Sequence, residues 1–148
     1  MRDYETDDVS RTGSTGAGAC WAIVLAAGTG ARFGGPKQFA ELAGMPMLEH
    51  PVRSSATVCG GIVAVLPGGD LDRWNAPIGV LKVAGGATRA QSVRAGLSAV
   101  PDTAEVIVIT DAAHPLATPD LYRRVVEPVL EGADAAIPGQ LPRIFRRN

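Results

Sequence analysis

The chain of 148 residues has room for one ordinary domain, and its 46% hydrophobic and 20% charged residues exclude wholesale disorder. Fourteen basic against fifteen acidic residues leave a net charge of −1, which excludes the basic field that drives nucleic-acid binding. The two cysteines, Cys20 and Cys59, form no C-x-x-C; a disulfide scaffold and a cysteine-based zinc site are excluded, and a reducing cytoplasm suits them.

Residues 1–19 mix acids (Asp3, Glu5, Asp7, Asp8) with small residues and carry no periodic apolar face, so they read as a flexible lead-in. An acidic start is the opposite of a signal peptide's basic one. No run approaches the roughly 20 apolar residues that span a bilayer. A cytoplasmic location, without membrane contact, is the expectation.

From Cys20 onward, five short apolar runs follow, at 22–26, 61–66, 80–84, 105–110 and 134–137. Each is alanine-rich or β-branched, lacks polar alternation and is bounded by Gly, Pro or Asp, the pattern of strands buried on both faces in a parallel sheet. Between them lie amphipathic segments. One covers 88–100, where Thr88 and Gln91 have capping-box spacing and Val93, Leu97 and Val100 share a face. Another covers 121–131, opened by Thr118 as N-cap with Pro119 in the first turn, and Pro128 is expected to kink it or end it early. Strands alternating with helices give an α/β sheet with right-handed crossovers. The domain is expected over 20–139, and 140–148 form a divergent basic tail with three arginines in the last six residues.

Chemistry is expected first in Leu25-Ala26-Ala27-Gly28-Thr29-Gly30-Ala31-Arg32-Phe33-Gly34-Gly35-Pro36-Lys37-Gln38, directly after the first buried strand. Ligands of open α/β sheets bind at that end of the strands. Glycines let backbone N–H groups approach anionic oxygens, and Arg32 and Lys37 add positive charge. A dinucleotide fingerprint fails because the third glycine, Gly34, comes one place late; a Walker A loop fails because Lys37 follows Pro36 and precedes Gln38. The competing reading is a surface turn with two solvated cations. Against it, the chain has only two lysines, and one falls here.

A second stretch, Val83-Ala84-Gly85-Gly86-Ala87-Thr88-Arg89-Ala90-Gln91-Ser92-Val93, joins a strand to a capped helix and offers free N–H groups, or is a plain turn. In the third, Ile109-Thr110-Asp111-Ala112-Ala113-His114-Pro115, Asp111 follows a buried strand, where a carboxylate either holds Mg²⁺ against phosphates or forms a turn. Together the three suggest a nucleotide phosphate site. No Ser-His-Asp set is present; His50 reads as structural or surface, whereas His114 lies close to Asp111.

These residues resemble the signature of the 2-C-methyl-D-erythritol 4-phosphate cytidylyltransferases of the non-mevalonate isoprenoid pathway. Beside the first stretch through Phe39, Gly44-Met-Pro-Met-Leu-Glu-His, Gly85-Gly-Ala-Thr-Arg-Ala-Gln-Ser-Val-Arg-Ala-Gly-Leu and Asp111-Ala-Ala-His-Pro occur in the family's order. The resemblance implies a nucleotidyltransferase-type, Rossmann-like three-layer sandwich with a mostly parallel sheet. It implies that the backbone of Ala26, Ala27, Gly28 and Gly30 wraps CTP, and that Arg32 and Lys37 hold the triphosphate and stabilise charge during attack. Gly86 and Ser92 would face the cytosine, Ala112 the ribose, and Asp111 would bind Mg²⁺. CMP would pass to the sugar-alcohol phosphate with release of pyrophosphate, chemistry that positioning and electrostatics can supply without a covalent nucleophile.

Departures accompany the matches. Thr110 and His114 stand where the family has His and an acceptor-binding Arg, and His makes no bidentate fork. Ala87 replaces a frequently acidic position. Family members continue well beyond Gly139, with a dimer arm, further acceptor residues, a second metal carboxylate and a late lysine, so the chain is expected to be the nucleotide-binding front, cut short. The family is homodimeric, a property not carried over. The ribitol-5-phosphate cytidylyltransferases share the CTP half and are the alternative; an inactive remnant that at most binds CTP is another. A Rossmann oxidoreductase fits worst.

Overall fold

The structure, a computed structural model, describes residues 18–32 and 34–139. Nearly all of the expected lead-in, and the basic tail, lie outside the described residues. Four parallel strands form the sheet: β1 (Cys20–Leu25), β4 (Gly61–Leu66), β5 (Val80–Ala84) and β6 (Val106–Asp111), in the order β5-β4-β1-β6. β1 is central, pairing Trp21 with Gly61 and Ile107 and Leu25 with Val65 and Asp111.

Side chains alternate across a strand, and both faces of β1 and β4 are covered. Ala22 and Val24 of β1 and Ile62, Ala64 and Leu66 of β4 pack with Leu48, Val52 and Val126, which come from helices α1 (Glu49–Ala56) and α3 (Pro119–Leu130) and the turn before α1. Their neighbours Ile23, Leu25, Val63 and Val65 pack on the other side with Val93, Ala99 and Val100 of helix α2 (Arg89–Ala99) and its C-terminal end. β1 and β4 therefore read as unbroken apolar runs because each serves two cores, whereas β6 gives Val106 and Val108 to the first core and leaves Ile107 and Ile109 exposed on its other face.

Helix α2 has the expected capping box, with Gln91 N–H donating to Thr88 Oγ1 at 3.2 Å and Thr88 N–H donating to Gln91 Oε1 at 3.1 Å. Its inner face differs from the expected Val93–Leu97–Val100 set, since Leu97 is 39% exposed and Ser92 and Gly96 are buried. Small residues let the helix backbone press onto the sheet; a Cβ on Gly96 would lie 2.6 Å from Ile23 Cγ2. Pro128 sits inside α3, which continues for two residues to Leu130 and then turns at Gly132, where φ is +111°.

The expected fifth strand at 134–137 is not one. Those residues have no regular structure and Ile137 is 88% exposed. A strand needs a hydrogen-bonding neighbour, and among the described residues β6 pairs only with β1. A hairpin and the short helix α1 escaped the sequence reading. β2 (Glu41–Leu42) and β3 (Met45–Pro46) form a hairpin over Ala43 and Gly44, whose φ values of +50° and +84° are those of a tight primed turn. The short helix α1 follows and is tied to that hairpin by His50 Nε2, 2.7 Å from Leu42 O, so His50 is structural. Among the described residues no helix is long and apolar enough to cross a membrane.

Candidate functional site

Strand order β5-β4-β1-β6 means that the chain leaves β1 first toward β4 and β5, then crosses back to β6. Connections diverge at the β1–β6 boundary, and such a divergence leaves a crevice beyond the strands' carboxyl ends. A cleft of about 550 Å³ lies there. Its walls come from the loop after β1, the turn after β5 with the start of α2, and the turn after β6.

Ten of the residues singled out from sequence line it: Ala26, Ala27, Gly28, Gly30, Lys37, Gly86, Ser92, Asp111, Ala112 and His114. Arg32 does not; it is exposed on the turn beyond Gly30. Lys82, the second lysine, is committed elsewhere, donating to the carbonyls of Leu71 at 2.6 Å and Trp74 at 3.1 Å. Lys37 therefore supplies the lysine charge of the cleft.

Local bonds fix the walls. Ala26 N–H donates to Val65 O at 2.8 Å, so it prolongs the sheet ladder and is not available to a ligand. Among the described residues, the N–H groups of Ala27, Gly28, Thr29 and Gly30 have no acceptor. Four donors in sequence over small side chains form a concavity suited to an anion. Gly30 has φ +65°, and its carbonyl accepts from Gly35 N–H at 3.2 Å, which closes the loop on itself. Gln38 is buried and donates from Nε2 to Gly28 O at 3.0 Å. Across the cleft Gly86 N–H donates to Ser92 Oγ at 3.2 Å, so Ser92 holds the glycine turn as well as facing the cavity. Ala112 N–H donates to Leu25 O at 2.9 Å and locks the turn after β6 to β1.

Sequence reading missed the roles of Gln38 and Arg89. Arg89 opens α2 and reaches across the cleft to Asp111, with Nη2 3.3 Å from Oδ2. Both side chains are solvent-accessible, so this ion pair is worth little on its own. Its partner lies 22 positions away, a distance at which no local pattern signals a contact. Gln38 had a weak signal, a polar residue in a buried stretch of the motif.

Asp111 bears on the expected Mg²⁺. Among the described residues no group of three or more His, Cys, Asp or Glu side chains could hold a metal. Mg²⁺ commonly takes one or two protein carboxylates and draws its remaining oxygens from substrate phosphates and water. A single accessible carboxylate opposite an anion-binding loop fits that manner of binding.

The family model described as 2-C-methyl-D-erythritol 4-phosphate cytidylyltransferase matches residues 20–142. The chain belongs to that family. A cytidylyltransferase of this name from Xanthomonas oryzae pv. oryzae is 43% identical over 124 residues, covering 76% of this chain and 46% of the relative. Its namesake from Thermus thermophilus superposes with a TM-score of 0.58 at 27% identity, over 74% of this chain and 49% of that one. The Rv0371c protein of Mycobacterium tuberculosis, solved in complex with manganese, shares the fold at a TM-score of 0.59 and 24% identity, over 74% of this chain and 58% of that one. The chain thus spans about half the length of the curated cytidylyltransferases it matches.

Proposed function

We propose that this chain carries the CTP-binding half of a cytidylyltransferase that transfers CMP to 2-C-methyl-D-erythritol 4-phosphate and releases pyrophosphate, in isoprenoid precursor synthesis in the cytoplasm. The observation that carries this reading is the convergence on one cleft of three separate motifs, each at the carboxyl end of a parallel strand. The N–H groups of Ala27, Gly28 and Gly30 face the triphosphate, and Lys37 neutralises it. Arg32, exposed on the turn beyond Gly30 and outside the cleft lining, adds positive charge beside it. Gly86 and Ser92 face the cytosine, and Ala112 lies at the ribose. Asp111 would hold Mg²⁺, which would offset phosphate charge. His114, at the rim, faces the acceptor phosphate in place of the family's arginine.

These groups hold the nucleotide still and stabilise the charge that develops at the α-phosphate as the acceptor oxygen attacks. Electrostatic stabilisation of this kind is worth roughly 10²–10³ in rate per donor. Transfer to ribitol 5-phosphate is the second reading.

Calorimetric titration of the purified chain with nucleoside triphosphates and Mg²⁺ tests the proposal, followed by pyrophosphate release with each acceptor. CTP should bind more tightly than ATP or GTP, and Lys37→Ala should weaken it at least tenfold while leaving the melting temperature unchanged. Turnover with methylerythritol phosphate completes the assignment, and turnover only with ribitol phosphate moves it to the second reading. A folded chain that binds no CTP, or binds all three nucleotides alike, refutes the proposal.

A further inference from the structure

At the opposite end of the sheet from the cleft, Cys20 opens β1 and Cys59 lies two residues before β4. They are 39 positions apart, yet their Sγ atoms are 2.7 Å apart. The backbone enforces this approach. Gly60 N–H donates to Cys20 O at 2.9 Å, and the β1–β4 ladder begins one step later with Trp21 opposite Gly61. Cys59 lies one residue before Gly60, the position level with Cys20, and at a strand spacing of about 4.8 Å that diagonal placement brings a Cα separation of about 4.4–6.8 Å, the range a disulfide requires, within reach. Both thiols are free and buried.

We propose that Cys20 and Cys59 form a peroxide-sensitive thiol pair, which closes to an intramolecular disulfide and brackets residues 20–59. The two sulfurs are chemically unequal. Contact with Cys59 holds the Cys20 thiol below its ordinary pKa, whereas that same contact and burial push Cys59 up. Cys20 is therefore the sulfur that reaches the thiolate first and attacks. Its sulfur takes one oxygen of a small peroxide, the O–O bond breaks, and hydroxide leaves and is protonated to water. Cys59 then attacks the resulting sulfenic sulfur and loses its proton, the S–S bond forms, and the sulfenic oxygen leaves as a second water. Two thiols are oxidised and one peroxide is reduced.

Access does not require unfolding. Gly18 and Gly60 flank the pair and are exposed, so loosening of the strand's first residues admits a molecule as small as hydrogen peroxide. A cytoplasmic disulfide of this type is transient, reversed by cellular thiols. Loop closure over this span should make the oxidised form more heat-resistant, by on the order of 10 °C. The pair lies remote from the cleft, so the inference stands whatever the cleft binds.

The experiment treats the full reduced chain with hydrogen peroxide, removes the oxidant with catalase, denatures in acid and labels remaining thiols with a maleimide-polyethylene glycol. Expected are loss of both labels, a mass lower by two hydrogens, a proteolytic fragment joining Cys20 to Cys59, and full reversal by dithiothreitol. The melting temperature should rise in the wild-type chain and not in Cys20→Ser or Cys59→Ser. Retention of both labels, intermolecular cross-linking, or sulfinic and sulfonic acids without the joined fragment would overturn the proposal. Should the serine variants fail to fold, fragment mapping of the wild-type chain decides alone.

Discussion

Gly30→Ala should damage the loop after β1, whereas Gly28→Ala should leave the fold intact. A Cβ on Gly30 would lie 1.7 Å from the Gly35 carbonyl oxygen and 2.7 Å from its carbon, and Gly30 already sits at φ +65°. Both obstructing atoms are backbone, so the loop must move by more than about 1 Å to approach ordinary carbon–oxygen contact. The left-handed conformation costs an alanine roughly 1–2 kcal/mol. Loss of the bond from Gly35 N–H to Gly30 O adds about 1 kcal/mol. Because the loop is solvent-exposed, it can open locally, and that opening caps the global loss at about 2–3 kcal/mol. A melting temperature lower by roughly 5–10 °C follows. Misplacement of catalytic groups by an ångström costs on the order of 10²-fold in turnover. Gly28 has nothing within 4 Å of an added Cβ, so its variant should melt within about 1 °C of wild type. That methyl would nevertheless stand in the cleft, and CTP affinity should fall at least tenfold. Urea and thermal denaturation read the first effect, and calorimetry with CTP and Mg²⁺ reads the second. A Gly30→Ala chain with unchanged melting and affinity would refute the loop geometry; a Gly28→Ala chain that binds CTP normally would refute the phosphate cradle.

Three further outcomes are expected. Burial opposes the charge of Glu49, but donors from Arg53 at 2.8 Å and Trp74 at 3.2 Å outweigh it and hold the carboxyl below its ordinary pKa. Its stabilising contribution is therefore complete above the unfolded value of about 4.3 and disappears as pH falls through the lower folded value. Urea midpoints from pH 3 to 7 should drop less steeply on the acid side in Glu49→Gln than in wild type. Thr88→Ala removes one half of the α2 capping box and should cost about 1 kcal/mol, seen as an earlier urea midpoint with an unchanged slope. Asp111→Asn should abolish the gain in CTP affinity that Mg²⁺ confers while leaving metal-free CTP binding equal or tighter; a variant that keeps the full Mg²⁺ gain would remove Asp111 from the metal site.

Four of the five expected strands, the capping box and the three cleft motifs were legible in the sequence because each rests on local rules. A continuous apolar run marks a strand, covered twice in β1 and β4 and on one face in β6, and Thr88-x-x-Gln91 marks a helix start whatever lies around it. The region at 134–137 has the composition of a strand but not the structure, since a strand is completed by a neighbour that composition cannot supply. Leu97 was misplaced because the close approach of Gly96 to Ile23 overrode the apolar periodicity. Arg89 beside Asp111, and Cys20 against Cys59, arise only when parallel pairing sets distant segments side by side. Residue type and spacing determined which chemistry the chain can offer. Strand order determined which groups meet, because a contact between distant residues depends on the packing of everything between them.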